Sequence, residues 1–229
     1  MKSAIRNSQV KIPTIQLDLI KLVSWDVDGT LYSIGRMKWR LLILFLLEVA
    51  RGRGLAAYRE LAVLRRYRAR IDTARLAGGV LDAARGEDAD RAKRLNAERR
   101  WYGQAITQTG PRAGLTDLLS FFAARNIPQV AFSDYGAPYK LDALGLKNRF
   151  ARIYEGEHLG FVKPNPRVFE LIAVDFAVPR ANVLHIGDRV DRDDVAARAA
   201  GCHCLILGRD FRSFPWLLHR LRSARRAPT

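Results

Sequence analysis

The hydrophobic pattern of this chain changes twice and so divides it into three stretches. Near the start, a mostly apolar run from Ile20 to Trp25 predicts a buried strand. Between Gly35 and Gly110, apolar residues recur at helical spacing without a proline or a β-rich run, which predicts about four helices. After Pro111, short apolar runs alternate with amphipathic segments. This alternation predicts an α/β fold with a doubly wound parallel sheet, interrupted by a helical insert.

The predicted elements after the insert follow one another closely. The strands are expected at 128–132, 151–154, 181–186 and 202–207, and the helices at 115–125, 138–144, 166–176 and 191–200. The insert divides the chain into a discontinuous core, residues 1–34 and 111–229, and a helical unit of residues 35–110. The first helix of that unit, Trp39 to Ala50, is apolar nearly all round, so we expect it to be well buried.

Two carboxylates, Asp26 and Asp28, stand where the first strand ends, and Gly29-Thr30 follows directly. Gly29 indicates that the strand stops here, which places both carboxylates at its C-terminal tip, where open α/β sheets bind ligands. Two anions so close repel each other unless a cation or a proton lies between them. The pair therefore predicts a hard metal ion, a shared proton or both, with a simple Asx-type turn as the alternative.

The composition describes a folded and strongly basic protein. Hydrophobic residues make up 48% of the 229 residues, which excludes a disordered chain. The formal net charge of +16 favours anionic partners such as phosphorylated metabolites, nucleic acid or acidic membrane. Because the positive charge is mostly arginine in an alanine-rich chain, genome composition is an alternative explanation.

Cysteine usage and the lack of long apolar segments favour a cytoplasmic location. Cys202 and Cys204 are one residue apart, a spacing at which a disulfide would be strained, so we expect reduced thiols. No signal peptide is visible in the first 22 residues. The longest apolar run, Leu41 to Leu47, is far shorter than the roughly 20 residues of a spanning helix.

The C-terminal stretch has two interpretations. Its apolar residues share one helical face, and arginines surround or follow them: Phe214, Leu217, Leu218 and Leu221, with Arg220, Arg222, Arg225 and Arg226. In the first interpretation the helix packs its apolar face on the domain and a solvated basic tail follows. In the second, the arginine-rich tail binds acidic membrane or an anionic polymer such as RNA.

Four polar sites stand at predicted strand ends or just beyond them. They are Asp26-Val27-Asp28-Gly29-Thr30, Ser133 after an apolar run, Lys163-Pro164, and Gly187-Asp188 followed by Asp191, Asp193, Asp194 and Ala200-Gly201. In this order the set resembles the haloacid dehalogenase superfamily, whose members are mostly magnesium-dependent phosphohydrolases. The resemblance implies a Rossmann-like core in which the first and fourth motif strands are neighbours. It also makes the insert similar to the helical cap of that family.

The resemblance implies a role for each of the polar residues. Asp26 is expected to be the nucleophile that forms an aspartyl-phosphate, and Asp28 the general acid and base. The true dehalogenases of the superfamily lack a carboxylate at the second position, so Asp28 favours phosphoryl transfer. Ser133 and Thr30 are expected to bind the phosphoryl group. Lys163 is expected to place a cation against both the nucleophile and that group.

A Mg²⁺ site is part of the same expectation. Asp26, the backbone carbonyl of Asp28, and Asp188 would hold the ion, because all-oxygen sites suit Mg²⁺. Asp193 would orient the water molecules bound to it.

Other residues near the motifs carry weaker signals. Arg36, Lys38 and Arg40 follow the first motif, where they could meet an acidic leaving group, and Arg36 is the first candidate; a solvated face is the alternative. Asp191 could instead cap the following helix. His185 is expected to be a buried histidine of the sheet.

These observations predict an enzyme, a Mg²⁺-dependent phosphohydrolase that cleaves a small phosphomonoester of a metabolite. A phosphotransferase or mutase with the same aspartyl-phosphate is one alternative. A basic protein that binds nucleic acid or a membrane surface on the same scaffold is the other. The sequence indicates neither the physiological substrate nor the oligomeric state.

Overall fold

A five-stranded parallel sheet forms the centre of the molecule. The computed structural model describes residues 16–81 and 91–224. The strands are β1 (Leu22–Asp26), β2 (Gln129–Ser133), β3 (Arg152–Glu155), β4 (Val183–Gly187) and β5 (His203–Ile206). They lie in the order β3-β2-β1-β4-β5. Because β1 pairs with both β2 and β4, the first and fourth motif strands are neighbours, as predicted.

Helices flank the sheet and fill the insert. Within the described residues they are α1 (Ile34–Ala50), α2 (Gly54–Leu76), α3 (Arg91–Ala97), α4 (Gln104–Thr109), α5 (Leu115–Ala123), α6 (Ala137–Ala143), α7 (Gly156–Leu159), α8 (Arg167–Asp175), α9 (Val195–Ala199) and α10 (Phe214–Ala224). The π-helical stretch Glu98–Gly103 joins α3 to α4, and Val190–Asp194 leads into α9. The α/β fold class with helices inserted after the first strand is confirmed.

The two faces of the sheet are both covered, which explains why every residue of β1 is buried. Trp25 packs edge-on against Phe122 of α5 and Phe214 of α10, with ring centroids 6.1 and 5.9 Å away. Leu22 belongs to the cluster on the other face, together with Phe169 of α8. Successive residues of a strand point to opposite faces, so an almost continuously apolar run is what a doubly covered strand requires.

The C-terminal helix α10 follows the first of its two interpretations. Phe214, Leu217, Leu218 and Leu221 are all buried against the core. The apolar face is therefore used for packing within the domain. The arginines 225 and 226 lie outside the described residues, so binding of anionic polymers or membrane by the tail stays a prediction.

Helix α1 contradicts the expectation that it is well buried. Trp39 is 64% exposed, Leu42 44% and Leu46 54%, and only Met37 and Glu48 of this helix are buried. The reason is its position in the insert. α1 packs against α2 and α4, which cover one side, so a helix that is apolar all round leaves its other side exposed.

The insert meets the sheet at the carboxyl edge, beyond the end of α2. Val162 donates its backbone N–H to the carbonyl of Gly79 at 2.8 Å, and Leu81 donates to the carbonyl of Gly160 at 2.9 Å. These bonds fix the end of α2 beside the loop that carries Lys163. The division into a core of residues 1–34 and 111–229 and a cap of residues 35–110 stays a prediction.

The cysteines behave as predicted. Cys202 and Cys204 are buried free thiols, and burial raises the pKa of Cys202 to about 11, so this group stays protonated. Across residues 16–81 and 91–224, no helix combines the length and the apolar character needed to cross a bilayer. The cytoplasmic location stays a prediction.

Candidate active site

The predicted polar residues converge at the carboxyl edge of the sheet. Asp26 is the last residue of β1, Ser133 is the last residue of β2, and Asp188 directly follows β4. Lys163 lies in the loop before α8 and is 2% exposed. Because parallel strands end at the same edge, residues far apart in sequence meet there.

Asp26 is buried between a lysine and a threonine. Lys163 donates through Nζ to Asp26 Oδ1 and also to Asp193 Oδ1, the latter at 2.6 Å. Thr30 Oγ1 donates to Asp26 Oδ2 at 2.9 Å. Burial raises the pKa of Asp26 well above its usual range and the charge of Asp193 adds to this, whereas Lys163 opposes it. Burial and the neighbouring carboxylates together therefore outweigh the single ammonium group of Lys163.

Asp28 is held by a separate set of donors. Tyr32 donates through its hydroxyl to Asp28 Oδ1, and Lys140 donates through Nζ to Asp28 Oδ2. Ser133 Oγ lies 3.0 Å from the same Oδ2 and 2.8 Å from the carbonyl oxygen of Tyr135. Burial, the largest influence, acts to raise the pKa of Asp28. Lys140, the hydrogen bond from Tyr32 and the charge of Arg68 together outweigh burial, so the pKa is lowered. The carboxylate is thus kept ionised in this arrangement.

Two of these donors escaped the sequence analysis. Lys140 lies on α6 and is 1% exposed, and no pattern in its helix distinguishes it from a surface lysine. Tyr32 comes four residues after Asp28, in the turn that follows β1, and could have been noticed from its closeness to the first motif. Lys140 needed the tertiary structure, because only the packing of α6 against β2 brings it to Asp28.

Asp188 carries the clearest sign of an ion site. Its Oδ1 is buried and has no hydrogen-bond partner among the described residues. Burial, together with the charge of Asp193, raises the pKa of Asp188 to about 6. Carboxylate oxygens of Asp26, Asp188 and Asp193 lie within 4.8 Å of one another. Buried anions this close need a cation, so these residues fit the Mg²⁺ that the resemblance implies.

Gly29 allows Asp188 to approach the first motif. Its φ is +95°, and a Cβ at this position would lie 2.1 Å from Asp188 Oδ2. No other residue type fits this space. The glycine after Asp28 is therefore required both by the turn and by the carboxylate of the fourth motif.

Asp193 is a structural centre of the fourth motif. Its Oδ2 accepts the backbone N–H groups of Asp188 at 3.2 Å and Arg189 at 2.9 Å. Its Oδ1 lies 3.1 Å from Nε2 of His185, which is fully buried as expected. Burial acts to raise the pKa of Asp193, but Lys163 and His185 hold it well below its usual range. That Asp193 also orients bound water stays a prediction.

The weaker candidates lie at the margin of the site. Arg36 is exposed at the start of α1, and its backbone N–H reaches Ser33 Oγ at 3.4 Å. Asp191 pairs with Arg189 at 2.9 Å and makes no capping bond to the helix that follows. Neither side chain is brought into the carboxylate cluster. A contact between Arg36 and a substrate stays a prediction.

The insert contributes arginines that the sequence analysis did not select. Arg75 of α2 donates through Nε to Asp134 Oδ2 at 3.2 Å, and Asp134 Oδ1 accepts the backbone N–H of Lys163 at 2.9 Å. Arg68 lies two turns earlier on the same face of α2, and its guanidinium carbon is 5.8 Å from the ring centroid of Tyr102. Its charge is among those that lower the pKa of Asp28, after the larger contributions of burial and of the nearby donors. The insert therefore reaches the site through α2.

Comparison with known proteins agrees with this geometry. The model of the haloacid dehalogenase-like hydrolase family matches residues 20–201. Haloacid dehalogenase-like hydrolase domain-containing protein 3 of Bos taurus is 36% identical over 67 residues, 29% of this chain and 27% of that protein. Glyceraldehyde 3-phosphate phosphatase of Methanopyrus kandleri is 36% identical over 62 residues, 27% of each chain. The matched stretches span about a quarter of these curated relatives.

A solved structure shows the same fold over nearly the whole chain. The 2-haloacid dehalogenase of Pseudomonas syringae pv. Tomato superposes with a TM-score of 0.61 at 18% identity, covering 90% of this chain and 99% of that one. At this identity the likeness concerns the fold.

Proposed function

We propose that this chain, which belongs to the haloacid dehalogenase-like hydrolase family, is a phosphohydrolase that cleaves a small phosphomonoester with Asp26 as nucleophile. The observation that carries the proposal is the second carboxylate. Asp28 lies at the same strand end and is bonded by Ser133 and Lys140. A halide leaves without a proton, whereas an alkoxide leaving group needs one, so a second carboxylate here serves phosphate ester cleavage.

Asp26 attacks phosphorus, and an aspartyl-phosphate forms as the ester oxygen leaves. Asp28, after taking up a proton from solvent when the substrate has bound, gives that proton to the leaving oxygen and then takes a proton from the water that hydrolyses the intermediate. Lys140, together with Tyr32 and Arg68, keeps Asp28 ionised before substrate arrives. A bound phosphate brings further negative charge close to Asp28, which raises its pKa toward the protonated form that the first step requires.

The remaining residues bind the phosphoryl group and its counter-ion. Ser133 and the hydroxyl of Thr30 can donate to phosphoryl oxygens, and Lys163 places a buried ammonium group beside Asp26. Asp26, Asp188 and the backbone carbonyl of Asp28 would hold Mg²⁺. When bound, the ion supplies positive charge that lets a carboxylate approach a phosphate dianion.

Transfer of the phosphoryl group to a second hydroxyl compound is the alternative for the same site. It begins with the same aspartyl-phosphate and differs only in the acceptor. The phosphatase named among the relatives supports water as the acceptor. A small phosphorylated metabolite is the proposed substrate, and a cytoplasmic location fits the reduced, buried thiols.

Turnover of an aryl phosphate with and without Mg²⁺ tests the proposal. We expect the wild-type chain to release inorganic phosphate only with Mg²⁺, and Asp26→Asn to lose at least about 10³-fold in kcat because the nucleophile is gone. Circular dichroism should show that the variant remains folded. Transfer of the phosphoryl group to an added alcohol, instead of its release as inorganic phosphate, would favour the transferase.

Asp117→Asn is the matched control. Asp117 is an exposed aspartate on α5, away from the carboxylate cluster, and the same change there should leave kcat within about twofold. Unchanged activity in Asp26→Asn would refute the proposed nucleophile.

A further inference from the structure

An apolar stripe runs along the outer side of α1. It consists of Trp39, Leu42, Leu46 and Val49, which are 64%, 44%, 54% and 47% exposed. We call this surface the α1 stripe. Its spacing of three, four and three residues keeps all four side chains on one side of the helix. No described part of the chain covers this surface.

The stripe continues onto the start of α2. A Cβ on Gly54 would lie 3.1 Å from Val49 Cγ2, so the first turn of α2 lies directly against the end of the stripe. Leu55 and Tyr58, in that turn and the next, are 64% and 61% exposed. Single exposed apolar residues are common, whereas a contiguous set of this kind marks an interaction surface.

Positive charge borders the α1 stripe on both sides. At about 100° per residue, Lys38 and Arg40 project to either side of Trp39. Leu47, which is 46% exposed, extends the apolar surface of α1 to the side of Arg40. Both cations are exposed, and neither forms an ion pair with any residue that the structure describes. An apolar stripe with a tryptophan and flanking cations is the pattern of a helix that lies in the plane of a lipid interface.

We propose that the α1 stripe docks onto an anionic lipid surface, with α1 lying in the plane of that surface. Trp39, Leu42 and Leu46 enter the boundary between headgroups and acyl chains. Lys38 and Arg40 remain at the level of the lipid phosphates and carboxylates. The proposal concerns a surface outside the carboxylate cluster and does not depend on the reaction catalysed there.

Charge argues against a second copy of the chain and against residues 1–15 as occupants of this surface. A second copy of the chain would bring the cations of two α1 helices together, and each copy has a net charge of +16. Residues 1–15 contain three lysines or arginines and no acidic residue, so they do not complement Lys38 and Arg40 either. Nucleic acid would match the cations but leave the aliphatic residues of the stripe in water.

Vesicle sedimentation with the full-length chain tests the proposal. We expect binding to vesicles of phosphatidylcholine with phosphatidylserine and little binding to phosphatidylcholine alone. Leu46→Glu should lower the partition coefficient by about tenfold or more, because it puts a charge into the apolar contact. Lys38→Gln and Arg40→Gln should each lower it by about fivefold.

Val174→Glu provides the matched control. Val174 is a 76% exposed aliphatic residue on α8, so this change adds the same charge and removes a similar exposed side chain outside the stripe. It should leave binding within about twofold of wild type, and thermal melts should confirm that both variants fold.

Three outcomes would overturn the proposal. One is no binding to the mixed vesicles. Another is a dimer in analytical ultracentrifugation that Leu46→Glu converts to monomer without any vesicle binding. The third is equal binding to vesicles and to RNA, with no change in either on Leu46→Glu. That result would mean that the net positive charge alone attracts the chain to both.

Discussion

The carboxyl edge of the sheet and the outer side of α1 reverse the usual distribution of residues in a folded protein. At the edge, Asp26 and Lys163 are buried with 5% and 2% of their surface exposed. On α1, Trp39 and Leu46 are more than half exposed. Charged residues are normally outside and large apolar residues inside. Both regions are exceptions to this rule, and the reason in each case lies in the residues around them.

At the sheet edge the neighbours provide partners. Nearly every buried polar atom there has a donor or acceptor, and Asp188 Oδ1 is the described exception in the carboxylate cluster. On α1 the neighbours cover one side only. Charges can therefore be buried where strand ends converge, whereas an apolar helix at the margin of the insert stays exposed unless something outside the described chain covers it.

Replacing Lys163, the buried lysine at the sheet edge, should have the largest effect on the free energy of unfolding. Lys163→Met leaves Asp26 and Asp193 buried without their shared ammonium group. We expect the free energy of unfolding, measured with urea and without divalent cations, to fall by about 3–5 kcal/mol. The control Lys147→Met removes a lysine that is 55% exposed and 3.9 Å from Asp142, and should cost less than about 1 kcal/mol. Equal losses in both variants would contradict the buried arrangement.

Replacing Asp188, whose Oδ1 lacks a partner among the described residues, should have an intermediate effect. It should raise the free energy of unfolding, whereas Lys163→Met should lower it. The pKa of Asp188 is raised from 3.8 to about 6 in the folded chain, so folding favours its protonated form. This contribution to stability is present at low pH and is lost as pH rises through about 6. Without metal at pH 8, Asp188→Asn should therefore be more stable than wild type by about 1–3 kcal/mol.

The same variant tests the ion site. Mg²⁺ should raise the melting temperature of the wild-type chain at pH 8, because a ligand that binds only the folded state stabilises it. It should have no such effect on Asp188→Asn. Asp191→Asn is the control, since Asp191 is exposed and paired with Arg189, and it should keep the response to Mg²⁺. If Asp188→Asn proves less stable than wild type without metal, the ionised Asp188 does not destabilise the fold as inferred from its raised pKa.

The smallest effect is expected on the exposed side of α1. Leu42→Ala removes a 44% exposed side chain and should change the free energy of unfolding by about 0.5 kcal/mol or less. Leu64→Ala, at a 1% exposed position of α2, should cost about 2–5 kcal/mol because it opens a cavity. Urea unfolding measures both. A loss of more than about 2 kcal/mol for Leu42→Ala would mean that the stripe is covered in the free protein.

Much of the site was predictable because its residues stand at strand ends. Asp26, Ser133 and Asp188 each follow an apolar run, and parallel strands end at a common edge. Lys140 was not predictable in this way. It comes from a helix, and its approach to Asp28 depends on how α6 packs. Arg75 was hidden for a similar reason, since it lies among many arginines of the insert.

The order of strands and helices along the chain and the set of carboxylates at the sheet edge could be predicted from the amino-acid sequence. The reason is that both depend on short-range patterns: apolar runs, turn residues and the spacing of Asp26 and Asp28. The packing of the folded chain was needed to show which side of α1 is covered, which of several lysines reaches Asp28 and which carboxylate oxygen lacks a partner among the described residues. Burial and pairing depend on neighbours that are distant in sequence, and local pattern does not specify them.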